Sequence, residues 1–191
     1  MPSASSVDVL RLPGADSAET LGKTAEVERL VIGHFEQFRA PLLRYTLSLG
    51  LSVCDGEEIT QEVFLALFQH LQLGKCQRNL RGWIFRVAHN LALKRRQAKQ
   101  RLQDGAPSDR LTVERQLDSS PNPEEQVLAA QRQRRLLEAL NALPEQDRAC
   151  LRLRAEGLRY REIARVLGIS LGTVSVSLSR ALARLMCADE E

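Results

Sequence analysis

The sequence is poor in aromatic residues, which make up 4% of its 191 positions, and it has no hairpin dipeptides between alternating apolar runs. These shortages argue against a fold built on β-sheets. Strands are enriched in aromatic and β-branched residues, and consecutive strands are commonly joined by turns that contain those dipeptides. Apolar residues recur instead at helical spacing along most of the chain. The sequence therefore predicts an all-α fold.

Sequence patterns typical of disulfide frameworks, metal sites and catalytic sites are also lacking. The four cysteines are scattered without a C-x-x-C pair, so neither a disulfide framework nor a structural zinc site is expected, and the thiols are predicted to be reduced. No nucleophile–base pair, metal-ligand cluster or phosphate-cradling glycine loop stands at workable spacing. We expect no enzyme activity, no cofactor and no metal.

Long apolar runs are absent as well. The longest, Val63 to Phe68, is far shorter than a membrane span, and the N-terminus has no basic segment that leads into an apolar one. Neither membrane insertion nor secretion is expected. A cytoplasmic location follows by elimination.

Composition divides the chain into parts. Residues 1–24 are rich in Ser, Ala, Pro and Gly and predict a disordered tail, while residues 103–123 are polar, contain three prolines and predict a flexible linker. Helical patterns fill residues 25–102 and 124–187, so two small helical domains are expected. Pro41 interrupts the first pattern and predicts a kink or a break between two helices.

An acidic helix is predicted from Asp55 to Leu73. Asp55 is placed to cap its N-terminus, and the glutamates that follow suit the positive end of the helix dipole. Its apolar stripe consists of Ile59, Val63, Leu67 and Leu71, widened by Phe64 and Phe68. One interpretation is an ordinary, well-capped surface helix; the other is a protein-binding face that includes Gln61 and Glu62.

Cations dominate residues 78–101, where eight Lys and Arg side chains occur without one Asp or Glu. An apolar seam at helical spacing accompanies them, formed by Leu80, Ile84, Val87 and Leu91. Phosphate contact explains the unbalanced charge better than a solvated face does. Trp83, with Phe85 and His89 beside it, offers either stacking groups for unpaired bases or core side chains, and both interpretations stay open.

Residues 158–185 have the pattern of a helix-turn-helix. The first helix carries Ile163, Ala164 and Leu167 on one face. Gly168 can end that helix with a positive φ angle, and Ser170 can cap the next one. The second helix is predicted to bury Val174, Leu178, Leu182 and Leu185 and to expose Thr173, Ser175, Ser177, Arg180 and Arg184. A simple αα-hairpin, or a strand over residues 173–177, is the alternative.

Three motifs stand in order along the chain. They are D-G-E-E-I-T-Q-E-V-F from Asp55, N-L-R-G-W-I-F-R-V-A-H-N-L-A from Asn79, and L-P-E-Q-D-R from Leu143, which the helix-turn-helix follows. Together they resemble the extracytoplasmic-function (ECF) group of bacterial RNA polymerase sigma factors, of the sigma-70 family. The resemblance implies a region 2-like first domain that binds core polymerase and opens the −10 element. It also implies a region 4-like second domain that reads the −35 element.

The resemblance suggests roles by position. Residues that match the polymerase-binding helix are Asp55, Glu58, Gln61, Glu62 and Phe64. The loop from Gly74 to Asn79 matches one that captures a flipped base. Residues expected to bind the −10 region are Arg78, Asn79, Arg81, Trp83, Arg86, Asn90, Lys94 and Arg95. Those expected to bind the −35 region are Arg161, Ser170, Thr173, Ser175, Ser177, Arg180 and Arg184. Core RNA polymerase, promoter DNA and an anti-sigma factor are the implied partners.

Two features depart from the family pattern. Arg159 stands where a capping Ser or Thr is usual, which weakens that helix start by ~1 kcal/mol unless another group caps it. The recognition helix has few charges, while arginines are plentiful just before it. We therefore hypothesise that Arg161 and Arg165 position phosphates, while the Ser and Thr side chains meet base edges or backbone.

Three functions agree with these patterns. The leading one is a sigma factor, a promoter-specificity subunit with no chemistry of its own. A helix-turn-helix regulator that binds duplex DNA without polymerase would leave the acidic helix and the Trp83 segment unexplained. An adaptor that keeps the polymerase or anti-sigma surface but has lost promoter reading is compatible with the weakly charged recognition helix.

Overall fold

The computed structural model describes residues 15–75, 78–103 and 123–190, and within these ranges it contains seven helices and no strand. They are α1 (Ala15–Ser48), α2 (Val53–Gln72), α3 (Leu80–Gln103), α4 (Pro123–Asn141), α5 (Glu145–Ala155), α6 (Tyr160–Leu167) and α7 (Leu171–Glu190). The predicted all-α class is confirmed. Residues 1–14 of the predicted tail and 104–122 of the predicted linker lie outside the described residues.

The first helix is longer than the sequence predicts. It runs without a break from Ala15 to Ser48, so residues 15–24 of the predicted tail are helical. Of the two alternatives predicted at Pro41, the break between two helices is wrong, and the kink stays a prediction. A proline in a helix interior costs about 3 kcal/mol, because it removes a backbone hydrogen bond and crowds the preceding turn. Burial of the same helix face on both sides of the proline, at Phe38 and Leu42, offsets that cost.

The first domain packs α1, α2 and α3 around one apolar core. The predicted α2 stripe is confirmed, since Ile59, Val63, Leu67 and Leu71 are all buried. In α3, Leu80 and Ile84 are buried, while Val87 and Leu91 are half-buried against the core. Periodicity in the sequence was therefore sufficient to orient α2, whereas the buried face of α3 is centred beside the predicted seam, at Phe85, Ala88 and Ala92.

The second domain packs α5 and α6 against α7, and α4 also lies against α7. Its fully buried side chains include Leu153, Leu158, Ile163 and Val174, with Leu178 nearly so. Arg132 of α4 and Asp189 of α7 form a two-pronged ion pair at the exposed end of this domain. The helix-turn-helix is thus part of a four-helix unit.

The two domains are packed on each other and share one continuous apolar core. Helix α3 lies against α6, and α1 meets α5. The sequence predicts two small domains joined by a flexible linker, and that prediction does not include close packing between the domains. It places the basic helix of the first domain beside the first helix of the helix-turn-helix.

Among the described residues, no single helix is long and apolar enough to cross a membrane. The pair α6 and α7 passes the same test of length and composition only when the two helices are taken together, and they are bent by 105°. Ile163 and Val174 of this pair are fully buried in the core.

Candidate nucleic-acid interface

The start of α2 is held by a reciprocal pair of hydrogen bonds. Ser52 is the N-cap: its hydroxyl accepts from the Asp55 N–H at 3.2 Å, and the Asp55 carboxylate accepts from the Ser52 N–H at 3.3 Å. This capping box corrects the prediction that Asp55 itself is the cap, and the S-x-x-D pattern could have revealed it. Asp55 is buried and also accepts from Lys99 of α3, so its carboxylate is engaged inside the first domain.

Asp55 should make the first domain sensitive to acid. Burial alone would raise the pKa of this carboxyl, but hydrogen bonds from Lys99 and Ser52 outweigh burial and hold the pKa below its usual value. Because the folded pKa is depressed, the stabilisation is present above the unfolded pKa of about 3.9 and is lost as the pH falls through the folded pKa. We expect Asp55→Asn to lower the free energy of unfolding by about 1–2 kcal/mol at pH 7.

Urea unfolding of wild type and Asp55→Asn at pH 7 and at pH 2.5 measures this effect. The difference in unfolding free energy should be full at pH 7 and smaller at pH 2.5, since it is lost as the pH falls through the lowered pKa of Asp55. Glu57→Gln changes an exposed residue on the same helical turn, and it should stay within about 0.5 kcal/mol of wild type at pH 7. If Asp55→Asn lowers the free energy of unfolding by the same amount at both pH values, the charge of Asp55 contributes nothing to stability.

The outer side of α2 combines charge with an exposed apolar side chain. We call this surface the α2 face; it consists of Glu58, Gln61, Glu62 and Leu65, all of them exposed. Leu65 lies outside the i, i+4 stripe of α2 and is 60% exposed, and its apolarity alone gives no sign of a contact role. Phe64 points inward and meets the ring of Phe35 edge-on at 5.0 Å. Phe64 and Asp55, which the resemblance places on the polymerase-binding helix, are both buried, and their direct contact with polymerase stays a prediction.

Arg95 connects the acidic and basic helices. From α3 its guanidinium donates to Glu58 at 2.9 Å and lies 3.7 Å from the Glu62 carboxylate. It also lies 3.6 Å from Asp55. The predicted role of Arg95 at the −10 region therefore competes with ion pairs inside the first domain, each worth at most about 1 kcal/mol where exposed.

The basic side of α3 is exposed as predicted. We call it the α3 face; it consists of Arg86, Asn90 and Lys94. These residues are four positions apart, so they form one row about 12 Å long on the helix. Arg78 and Asn79 are exposed in the turn just before this helix. The row therefore offers cations and an amide along a line that a nucleic-acid backbone can follow.

The turn before α3 has an unusual backbone. Asn79 has a φ of 60°, and its side-chain oxygen accepts from the Gly82 N–H at 3.3 Å. A Cβ at Gly82 would lie 2.8 Å from the Asn79 amide nitrogen, so a larger residue there would displace the Asn79 side chain. Residues 76–77 lie outside the described residues, and the base-capturing role of the loop from Gly74 to Asn79 stays a prediction.

The three aromatic candidates of α3 have different positions. Trp83 is half-buried and packs against His70 with ring centroids 4.7 Å apart. Phe85 and His89 are buried, and the His89 Nδ1 shares a hydrogen bond with the Tyr45 hydroxyl at 2.8 Å. Burial lowers the pKa of His89. Of the three, Trp83 keeps exposed surface for stacking, while Phe85 and His89 are core residues.

The helix-turn-helix has the expected turn. Gly168 has a φ of 68° and ends α6, and the Ser170 hydroxyl accepts from the Thr173 N–H at 3.0 Å to cap α7. The angle of 105° between α6 and α7 lies within the range of this motif. At the start of α6, the Glu162 carboxylate accepts from the Arg159 N–H at 2.6 Å, and the Arg159 side chain makes no cap.

Helix α7 is rotated relative to the prediction. Val174 and Leu178 are buried as expected, but Leu182 is 50% exposed and Ala181 is buried in its place. Ser177 is fully buried, with its hydroxyl 3.5 Å from the side-chain amide of Gln146. The predicted exposure of Ser177 and burial of Leu182 are wrong. Ser177 has no surface from which to contact DNA in this structure.

Arg180 is held within its own domain. Its Nε lies 3.4 Å from Oδ2 of Asp147, which is buried in the first turn of α5 and makes no hydrogen bond through that oxygen. Ser175 and Arg184 are exposed on α7, as are Arg161 and Arg165 on α6. The exposed cations of the helix-turn-helix are therefore divided between its two helices.

Polar contacts join the two domains. Arg44 of α1 donates twice to the Glu156 carboxylate, at 3.0 and 2.7 Å, and Arg81 donates to the Glu156 carbonyl oxygen. Arg96 of α3 pairs with Glu145 of α5 at 2.6 Å. We call these residues the clasp: Arg44, Arg81, Arg96, Glu145 and Glu156. Arg81, predicted to bind the −10 region, therefore lies between the domains.

A further arginine is half-buried where α5 meets α1. Burial and the neighbouring Arg148 lower the pKa of Arg152 to about 10, and Tyr45 is close enough to interact with it electrostatically. Burial raises the pKa of Tyr45. Because this pKa is still well above 7, Arg152 remains charged at neutral pH. The contact between α1 and α5 therefore contains a partly desolvated cation.

Comparison with known proteins agrees with this geometry. Family profiles match Sigma-70 region 2 over residues 34–102 and Sigma-70 region 4 over residues 133–185. ECF RNA polymerase sigma factor SigL of Mycobacterium tuberculosis is 32% identical over 88% of this chain and 93% of its own length. Probable RNA polymerase sigma factor RfaY of Xanthomonas campestris is 34% identical over 72% of this chain and 34% of its own length. The chain also matches 50% of the length of SigE from Mycolicibacterium smegmatis, so it spans a third to a half of these last two relatives.

A solved structure has the same fold. The sigma factor RpoE from Bartonella quintana, crystallised with the anti-sigma factor NepR, has a TM-score of 0.61 to this chain at 21% identity. The match covers 82% of this chain and 94% of that one. From the two region profiles and the near full-length match to SigL, we conclude that this chain belongs to the ECF group of RNA polymerase sigma factors.

Proposed function

We propose that this protein binds core RNA polymerase and directs it to promoters. The observation that carries the proposal is the pairing of two exposed surfaces on one domain. The acidic and apolar α2 face lies next to the cationic α3 face, with Arg95 between them. A regulator that binds only duplex DNA would need the second surface and would have no use for the first.

The α2 face is proposed to dock on polymerase. An exposed leucine surrounded by polar side chains is typical of the centre of a protein–protein contact, where apolar groups are desolvated and charges lie at the rim. Leu65 would occupy that centre, and Glu58 and Glu62 would lie near a basic rim on the partner. Phe64 and Asp55 would act indirectly, by fixing the position of the helix.

The α3 face and Trp83 are proposed to hold the opened −10 region. Extruding a base costs a few kcal/mol, and stacking on an aromatic ring returns about 1–3 kcal/mol per base. Trp83 keeps part of its ring exposed, and the cations of the α3 face can contact the backbone of the displaced strand. This surface suits single-stranded or melting DNA.

The second domain is proposed to read the −35 element. Ser170 and Ser175 are exposed on the reading side of the motif and can donate to or accept from base edges. Phosphate contacts would come mainly from Arg161 and Arg165, which are exposed on α6. Sequence reading and backbone positioning would thus be divided between α7 and α6.

This division is testable by salt dependence. Each lost phosphate contact should reduce the slope of log affinity against log salt by about 0.9. We expect Arg161→Ala and Arg165→Ala to weaken holoenzyme binding to promoters of different −35 sequence by similar factors, with shallower slopes. Arg134→Ala removes an exposed arginine of α4 and serves as the control with an unchanged slope. Wild-type slopes in both α6 variants would remove the proposed phosphate role.

A cytoplasmic site of action and regulation by an anti-sigma factor are proposed on the strength of family membership. The RpoE structure was determined with such a factor bound. The partner of the present chain would compete with polymerase or with DNA for one of the surfaces described above.

Mapping of transcript starts tests the proposed function. Purified protein is added to core polymerase and genomic DNA, and the new transcript ends are sequenced. Starts that share upstream motifs, and that require both protein and core enzyme, are the expected result. Specific duplex binding without polymerase would favour an independent regulator. Binding to core enzyme without any new start would favour an adaptor.

A further inference from the structure

We infer that Asp147 of α5 holds Arg180 of α7 in the position from which Arg180 reads a guanine of the −35 element. Arg180 would contact the base, and Asp147 would be a positioning residue. The inference rests on the proposed function, in which α7 reads that element. It is carried by a buried carboxylate on one helix of the second domain that lies beside a half-exposed cation on another.

Asp147 is an acidic residue at a place where a charge is costly. Its side chain is 3% exposed, and its Oδ2 is buried without a hydrogen bond. Burial of a carboxylate is unfavourable unless a dipole or an opposite charge compensates it. The first turn of α5 supplies the dipole, and the Nε of Arg180, 3.4 Å from Oδ2, supplies the opposite charge. Arg180 therefore helps to make an acidic residue tolerable at this position.

The usual structural use of an acidic residue at this position is not open to Asp147. It is the third residue of α5, where a carboxylate commonly accepts a hydrogen bond from the backbone N–H of the N-cap residue. The N-cap of α5 is Pro144, which has no N–H, and no side-chain hydrogen bond caps this helix. The contact with Arg180 therefore explains the carboxylate better than helix capping does.

Arg180 has further donors that suit a base. Asp147 meets the guanidinium at Nε, and the side chain of Arg180 as a whole is 50% exposed. The terminal amino groups can therefore serve a second partner. Two N–H groups of an arginine fit the O6 and N7 acceptors that guanine presents in the major groove. Arg180 also shares a face of α7 with Thr173 and Val176, which precede it by seven and four positions.

Positioning by Asp147 should affect base discrimination more than phosphate contact. A free arginine side chain has many rotamers, and ordering them on binding costs affinity. An arginine that is already held in place avoids most of that cost. Without Asp147 the cation can turn to neighbouring phosphates, which keeps its attraction to DNA but not its preference for guanine. A held arginine can thus discriminate between bases although α7 has few charges.

A base analogue tests the contact. Each guanine in the −35 element of a mapped promoter is replaced in turn by 7-deazaguanine, which keeps its base pairing and O6 but lacks the N7 acceptor. Holoenzyme with wild-type protein should lose about tenfold in affinity at one of these guanines. Arg180→Lys keeps a charge near Asp147 but lacks the planar fork, so its affinity should fall less than about twofold at the same guanine.

Asp147→Asn tests the positioning role. Its loss of affinity with 7-deazaguanine should shrink to about threefold or less, because the arginine is no longer held. The slope of log affinity against log salt should stay at the wild-type value, because the arginine keeps its charge. Circular dichroism checks that the variant folds, and Asp147→Ser, with the same expected result, takes its place if it does not. Asp189→Asn breaks the pair with Arg132 in the same domain and should keep the tenfold loss.

The inference is overturned if no guanine of the −35 element is sensitive to the analogue in wild type, or if Arg180→Lys keeps the tenfold loss. A folded variant at Asp147 that keeps the tenfold loss overturns the positioning role. Failure of the wild-type protein to bring core polymerase to any unmodified promoter would contradict the proposed function, and the inference with it, before an analogue is introduced.

Discussion

Leu65→Asp is expected to abolish most transcription with core polymerase while leaving the free protein folded. Leu65 is 60% exposed, so its replacement should change the free energy of unfolding by less than about 0.5 kcal/mol. In the proposed complex the new carboxylate would be desolvated without a partner, which costs about 2 kcal/mol or more. We therefore expect affinity for core polymerase to fall at least about 30-fold.

The measurement is a titration of labelled core polymerase with wild type and variant, accompanied by urea unfolding of each free protein. Ile32→Asp is the matched control, because Ile32 is 57% exposed on α1 and lies outside the α2 face. Wild-type affinity for Leu65→Asp would place the polymerase contact elsewhere. An equal loss of affinity for core polymerase in both variants would show that a new charge at any exposed apolar position weakens binding.

Phe85→Ala is expected to have the largest effect on stability. Phe85 is fully buried and meets Phe38 and Tyr45 edge-on, at centroid distances of 6.5 and 5.7 Å. Removing such a ring costs about 3–5 kcal/mol, a large share of the 5–15 kcal/mol that stabilises a typical domain. For a chain of this size the Tm should fall by about 6–20 °C.

Thermal unfolding followed by circular dichroism measures this change. Leu137→Ala, at a residue that is 49% exposed on α4, should leave the Tm within about 2 °C of wild type. If Phe85 stacked on bases instead, Phe85→Ala would impair DNA opening with little change in Tm. That outcome would contradict the core position of Phe85.

Periodicity predicted the helices well because local and tertiary preferences agree in them. The α2 stripe from Ile59 to Leu71 has one apolar residue per turn, and each is buried. In α7 apolarity alone predicts burial of Leu182 and exposure of Ser177. The structure buries the small residues Ser177 and Ala181, with Gln146 of α5 beside Ser177. Steric fit decided the rotation of that helix.

Pro41 shows how tertiary contacts override a local signal. Its ring disfavours the helix locally, yet α1 continues through it. Tyr45, one turn further on, is buried and bonded to His89 of α3, and Phe38 lies in the same core on the other side. These contacts form only in the folded domain, so a reading of the α1 sequence alone could not include them.

The clasp could not be predicted from sequence at all. Arg44 and Glu156 are separated by 112 positions, and Arg96 and Glu145 by 49. Each of these residues looks like an ordinary surface charge within its own helix. By contrast, the α3 face was predicted, because an excess of one charge on a helix is visible locally.

Permanganate footprinting of a mapped promoter detects opening of the −10 region, because permanganate oxidises thymines that have left the base stack. We expect reactive thymines in the −10 region when protein and core polymerase are both present, and none when either is omitted. Unreactive thymines with both present, at a promoter where the protein binds core polymerase normally, would contradict the proposed promoter opening.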